Sequence, residues 1–98
     1  MFRNAVITKS NGTAFTDIYV TLMSSNINRI FYNTNMLGAN LHVTLSSGMD
    51  GVNGIQYANH AFRLDGDRDY YKFPAEEGFI NPPKLPETLI QGSYMFYR

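Results

Sequence analysis

The chain has 98 residues, enough for one domain over 1–98 with a modest core. Hydrophobic residues make up 44% and aromatics 14%, all Tyr and Phe, a mixture that excludes a disordered chain. Lys plus Arg and Asp plus Glu balance at eight each, so no net field draws the protein to nucleic acid or to an anionic membrane.

Charged residues are only 16%, and a near-zero balance favours association over isolation. There is no cysteine, which excludes a disulfide framework, a thiolate metal site and a cysteine nucleophile. The opening "MFRNAVITKSNG" lacks the apolar run of a secretory leader, and no segment has the apolar length of a membrane span. The expectation is a chain with no signal peptide and no transmembrane segment. The sequon "NGT" at Asn11 reads as a turn.

In chain order, "FRNAVIT" comes first, rich in β-branched and aromatic residues and read as a strand. "TDIYVTLM" follows with strict alternation, Ile18, Val20 and Leu22 on one face and Asp17, Tyr19 and Thr21 on the other. "INRIFYN" is again strand-like. "NLHVTLS" alternates like the second segment, with Leu41, Val43 and Leu45 against Asn40, His42 and Thr44. No helical stripe, internal repeat or domain boundary is expected. Between these runs lie "SNGT", "SSN", "NTNMLGAN" and "SSGMDGVNG", all turn chemistry. "GMDGVNG" lacks the Lys-Ser/Thr pair and the following helix of a phosphate loop.

"LDGDRDYYKFPAEE" places Asp65, Asp67, Asp69 and Glu76 at positions 1, 3, 5 and 12 of a calcium loop. Tyr70 stands where that loop needs Gly, and Pro74 breaks the helix that should follow. A hairpin between "NHAFRL" and "DYYKF" accounts for the stretch instead, with a three- or four-residue loop pairing Phe62 with Tyr70 or Tyr71. "NPPKLPET" then runs extended as a proline arm over 81–88, and "LIQGSYMFYR" forms a terminal strand over 89–98. That strand pairs either within its own sheet or with a neighbour's edge. The fold class expected is all-β: a compact antiparallel β-sandwich or small barrel with the proline arm before its last strand.

No catalytic, metal or cofactor site is expected. His42 and His60 are far apart, without a metal-ligand spacing, and "AEEG" reads as a solvated turn rather than half of a carboxylate pair. "NRIFYN" and "YYKF" mix basic and aromatic residues, but the zero charge balance argues against nucleic acid. What remains is an interface-like composition, rich in Asn, Ser, Thr, Tyr and Phe. The expected interface residues are Pro82, Pro83, Pro86, Tyr94, Phe96 and Tyr97. The expected function is non-enzymatic: a building block of a large assembly, such as a virion or capsid-decorating protein of a bacteriophage. Its partners would be other protein subunits, in a homo-oligomer or capsid-like particle. Two alternatives are a carbohydrate-binding module using Tyr19, Tyr32, Tyr57 and Tyr70, and a soluble inhibitor or adaptor for one host protein.

Overall fold

A computed structural model describes residues 2–49, 52–66, 71–76, 79–80 and 83–97. Its strands are β1 (Asp17–Leu22), β2 (Ala39–Leu45), β3 (Gly48–Met49), β4 (Val52–Asn53), β5 (Tyr71–Lys72), β6 (Ala75–Glu76) and β7 (Phe79–Ile80). Among the described residues there is no helix, and hence no helix long and apolar enough to cross a membrane.

The expected antiparallel sandwich or barrel is not what forms. The main sheet is open, three-stranded and parallel, in the order β1-β2-β5. Among the described residues antiparallel pairing is confined to two short ribbons, β3 with β4 and β6 with β7. Alternation alone does not distinguish the two architectures. It says that one face of a strand is buried, not which way the neighbouring strand runs.

β1 and β2 are the segments the alternation marks, and they pair over their full length from Asp17↔Asn40 to Leu22↔Leu45. Ala39, Leu41, Val43 and Leu45 are buried, while Asn40, His42 and Thr44 face outward. Parallel neighbours need a crossover, and here the crossover is a second wall built from turns.

That wall consists of 2–8, 25–35, 56–65 and 89–97, stacked as four tiers. Amides of one tier donate to carbonyls of the next. Phe2 donates to Ile30 at 2.8 Å, Phe31 to Ala61 at 2.8 Å and Phe62 to Met95 at 2.8 Å. Parallel bridges Asn26↔Tyr57 and Tyr57↔Gln91 keep the same register. Within each tier the chain closes four-residue turns, for example Ile30 N–H to Ile27 C=O and Ala61 N–H to Ala58 C=O. The third residue of these turns has positive φ: Asn4 at 57°, Arg29 at 56°, His60 at 57° and Tyr94 at 53°.

These turns send side chains inward. The first, fourth and fifth residues of a unit pack into the core: Ile27, Ile30, Phe31 in one and Ala58, Ala61, Phe62 in the next. The last unit does the same with Met95 and Phe96, and carries Gly92 at its first position. The three units "INRIF", "ANHAF" and "GSYMF" are therefore one repeat. It is short and its spacing drifts, and so it does not register as a repeat in the sequence alone. Phe2, Phe31, Phe62 and Phe96 stack into a ladder with centroid separations of 5.3, 5.7 and 5.4 Å and near-parallel rings. Phe73 closes it edge-on against Phe62 and Phe96. Aromatic pairs in this geometry add about 0.5–1.5 kcal/mol each beyond the area they bury.

The expected hairpin between 59–64 and 69–73 is absent among the described residues. His60, Phe62 and Leu64 donate instead to Ser93, Met95 and Tyr97, and β5 joins β2. The expected terminal strand is likewise a tier of turns stacked on the same chain. Of the proline arm, 83–88 is described. Pro86 is buried, its carbonyl accepts from Leu89 N–H at 3.1 Å, and Thr88 Oγ1 donates to the Ile55 carbonyl at 2.8 Å. This part of the arm is fastened to the body rather than running free.

Gly54 marks a tight crossing. A Cβ there would lie 2.4 Å from the Ser47 carbonyl carbon and 2.4 Å from Thr88 Oγ1. Gly54 is thus a packing requirement and not only turn chemistry.

Candidate functional site

The residue after each ladder phenylalanine points out of the turn wall: Arg3, Tyr32, Arg63 and Tyr97. Cation and ring alternate. The Arg3 guanidinium lies 5.2 Å from the Tyr32 ring centroid, and Arg63 lies 5.8 Å from Tyr32 and 4.6 Å from Tyr97. Tier stacking places these side chains over one another, and the attraction of a cation for a ring face favours this order.

Two residues before Phe31, Phe62 and Phe96 the left-handed turn position projects Arg29, His60 and Tyr94 alongside. His60 stacks on Tyr94 at 5.4 Å and meets Tyr32 edge-on at 6.3 Å. Arg63 also covers Tyr94 at 5.6 Å. A glycine would occupy these turn positions without strain. Three large polar or aromatic side chains stand there instead, each in a disfavoured backbone region.

Asp65 ties the cluster together. Its Oδ1 accepts from Arg63 Nε at 2.9 Å, its Oδ2 accepts from Tyr32 OH at 2.6 Å, and its N–H donates to Asn33 Oδ1 at 2.7 Å. The Tyr32 hydroxyl and the Arg63 guanidinium hold the Asp65 carboxyl below the usual carboxylate range. The same bonds push Tyr32 and Arg63 upward. His60 is lowered by desolvation and by the charges of Arg29 and Arg63. Its Nδ1 lies 3.1 Å from Arg63 Nη1, so it accepts from that guanidinium as the neutral ring.

An asparagine ladder runs beside these rings. Asn28 Oδ1 accepts from Asn59 N–H at 2.8 Å, and Asn59 Oδ1 accepts from Ser93 N–H at 2.9 Å. This explains the Asn-rich turns: each amide satisfies a backbone donor of the next tier that the turn leaves unpaired.

A second polar group sits on the strand wall. His42 stacks on Tyr19 at 4.2 Å, and its Nε2 is 2.9 Å from Asp17 Oδ1, which also accepts from Asn40 Nδ2 at 3.2 Å. These bonds lower the Asp17 pKa. The group joins two strands across the parallel register and is structural in form.

Tyr94, Phe96 and Tyr97 come together on the last tier, with Tyr94 59% and Tyr97 48% exposed and Phe96 half-buried at the end of the ring ladder. Pro86 is interior, Pro83 is half-buried, and Pro82 lies outside the described residues. Tyr32 belongs to the cluster, Tyr19 is on the opposite wall and Tyr70 is outside the described residues. Asp67 and Asp69 are also outside them, while both Asp65 oxygens are engaged by protein groups. Among the described residues no cluster of His, Cys, Asp and Glu could hold a metal ion. Sequence reasoning missed Arg3, Arg29, His60, Arg63 and Asp65 as one surface. The signal was the repeated phenylalanine with Asn or Ser three residues before it.

No family model, no curated protein and no solved structure matches the chain.

Proposed function

We propose that this protein is a non-enzymatic interaction module, a building block of a larger protein assembly that docks through its last tier. The observation that carries the reading is the exposure of Tyr94 and Tyr97 beside the half-buried Phe96, at the point where the ring ladder stops. Large amphipathic rings held rigidly on a scaffold make good contact surfaces, because little side-chain freedom is lost on docking. In its specific form the proposal is a virion or capsid-decorating subunit. The low charge and the Asn/Ser/Thr/Tyr composition support that form by analogy. Purified particles and the isolated chain are to be weighed by native mass spectrometry. The expected result is stoichiometric incorporation, lost in Tyr94→Ser/Tyr97→Ser while the variant stays folded. Incorporation equal to the unmodified chain would contradict the reading.

A carbohydrate-binding module is the second reading. The same tier sets two exposed tyrosines beside Arg63, His60 and Asp65, a ring face rimmed by hydrogen-bonding groups. Glycan-array binding that Tyr94→Ala abolishes would favour it over the assembly reading.

A further inference from the structure

The two ends of the turn wall are complementary to one another. Three ladders bear on this: two of side chains, each cut at a place where the other end could continue it, and one of backbone, which matches in polarity.

The first is the backbone. Arg29 and Phe31 donate to Asn59 and Ala61, and His60 and Phe62 donate to Ser93 and Met95. The equivalent amides on the last tier are those of Tyr94 and Phe96, which have no backbone acceptor among the described residues. At the other end, the carbonyls of Tyr32, Arg63 and Tyr97 accept from Asn4, Asn33 and Leu64. The equivalent carbonyl on the first tier is that of Arg3, which has no backbone donor among the described residues. The polarity, donors at one end and an acceptor at the other, is that of successive tiers; by the same offsets the partners of Phe96 N–H and Arg3 C=O would be residues 1 and 98, which lie outside the described residues.

The second is the ring ladder, which has a half-buried phenylalanine at each end, Phe2 and Phe96. The third is the alternation of cation and ring. It runs Arg3, Tyr32, Arg63, Tyr97, starting on an exposed cation and finishing on an exposed ring. A second Arg3 placed over Tyr97 would extend it in phase, and a second Tyr97 would not. The complementarity therefore specifies head to tail and disfavours tail to tail.

We propose that the partner of the last tier is the first tier of a second copy of this chain. This deepens the interaction reading above and rests on it. Phe2 of the second copy stacks on Phe96, and its Arg3 covers Tyr97. The contact is heterologous, so it generates open rows that lengthen with concentration, not a closed dimer.

The test is a charge exchange read by sedimentation velocity. Arg3→Glu loses the cation that covers Tyr97. Tyr97→Lys sets a cation against the incoming Arg3. The unmodified chain is expected to gain mass steadily above the 11.1 kDa of one copy as concentration rises. Each variant alone is expected to stay at one copy over the same range. Their equimolar mixture is expected to associate again, because the ammonium introduced in one variant faces the carboxylate introduced in the other. Should Tyr97→Lys lower the melting temperature by more than a few degrees, Arg3→Glu carries the test alone, since Arg3 is at an exposed end. Association of Arg3→Glu like the unmodified chain, or an unmodified chain that stays at one copy at every concentration, overturns the proposal. An unmodified chain that stays at one copy yet is built into a particle leaves the interaction reading standing without self-stacking. A chain that self-stacks but enters no particle does the reverse.

Discussion

The two walls of this protein bury comparable apolar residues by different means. The strand wall uses strict alternation: every second residue of β2 is buried. The turn wall buries the first, fourth and fifth residues of a unit and spends the positions between on Asn, Ser and left-handed turn residues. A β-strand and a chain of turns can thus stack in register with similar tier spacing, while their sequences carry unrelated periods. A wall of turns also points more of its polar side chains outward in files, and it is on this wall that the Arg–Tyr file lies.

The sharpest way to break the turn wall is to empty its ladder. Phe62 is 2% exposed and touches Phe31, Phe73 and Phe96. Phe62→Ala should cost about 3–5 kcal/mol in urea unfolding, a large share of the stability of so small a domain. A smaller break lies in the connection after the strand wall. Gly54→Ala forces a Cβ into the Ser47 backbone, and overpacking of this kind costs about 1–3 kcal/mol by the same measurement.

Acid should distinguish the walls without mutation. The folded turn wall holds His60 neutral, so its pKa is below the ordinary value near 6.5. The unfolded chain then takes the proton first, and stability falls as pH drops below about 6.5 towards the lower folded value. His60→Gln should flatten that part of a melting-temperature profile. Asp17 on the strand wall and Asp65 on the turn wall have lowered carboxyl pKa values. Their contribution is present above the ordinary carboxylate range and is lost only as pH falls through it. A profile in which His60→Gln changes nothing between pH 7 and 5 would contradict the Arg63–His60 arrangement.

The smallest effect is a gain. Leu37 is 47% exposed and sits at φ 53°, a region that favours glycine. Leu37→Gly should raise stability by up to about 1 kcal/mol in thermal unfolding, because the relief of left-handed strain exceeds the added backbone freedom of the unfolded chain.

These differences also explain what the sequence makes legible. Ile18, Val20, Leu22 and Leu41, Val43, Leu45 identify β1 and β2 and their buried faces, because period two is the signature of a strand packed on one side. The same alternation is silent on strand direction, and direction is where the expected sandwich fails. "INRIFYN" and "LIQGSYMFYR" read as strands on composition, since Ile, Tyr and Phe are common in sheets. The turn chemistry inside them is disguised, because Arg29, His60 and Tyr94 occupy positions where Gly or Asn would announce a turn. The exposed aromatic character of the terminal segment is legible from Tyr94, Phe96 and Tyr97. Its neighbours are not, because Arg3, Tyr32 and Arg63 are brought to it only by tier stacking across the whole chain.

The ring ladder is the feature on which the two-wall account depends, and proton NMR reads it directly. In a NOESY spectrum of the intact chain the account predicts ring-to-ring cross-peaks between Phe2 and Phe31, Phe31 and Phe62, and Phe62 and Phe96, matching separations of 5.3–5.7 Å. A spectrum lacking the Phe31–Phe62 and Phe62–Phe96 cross-peaks, with 59–64 paired antiparallel to 69–73 instead, would contradict it.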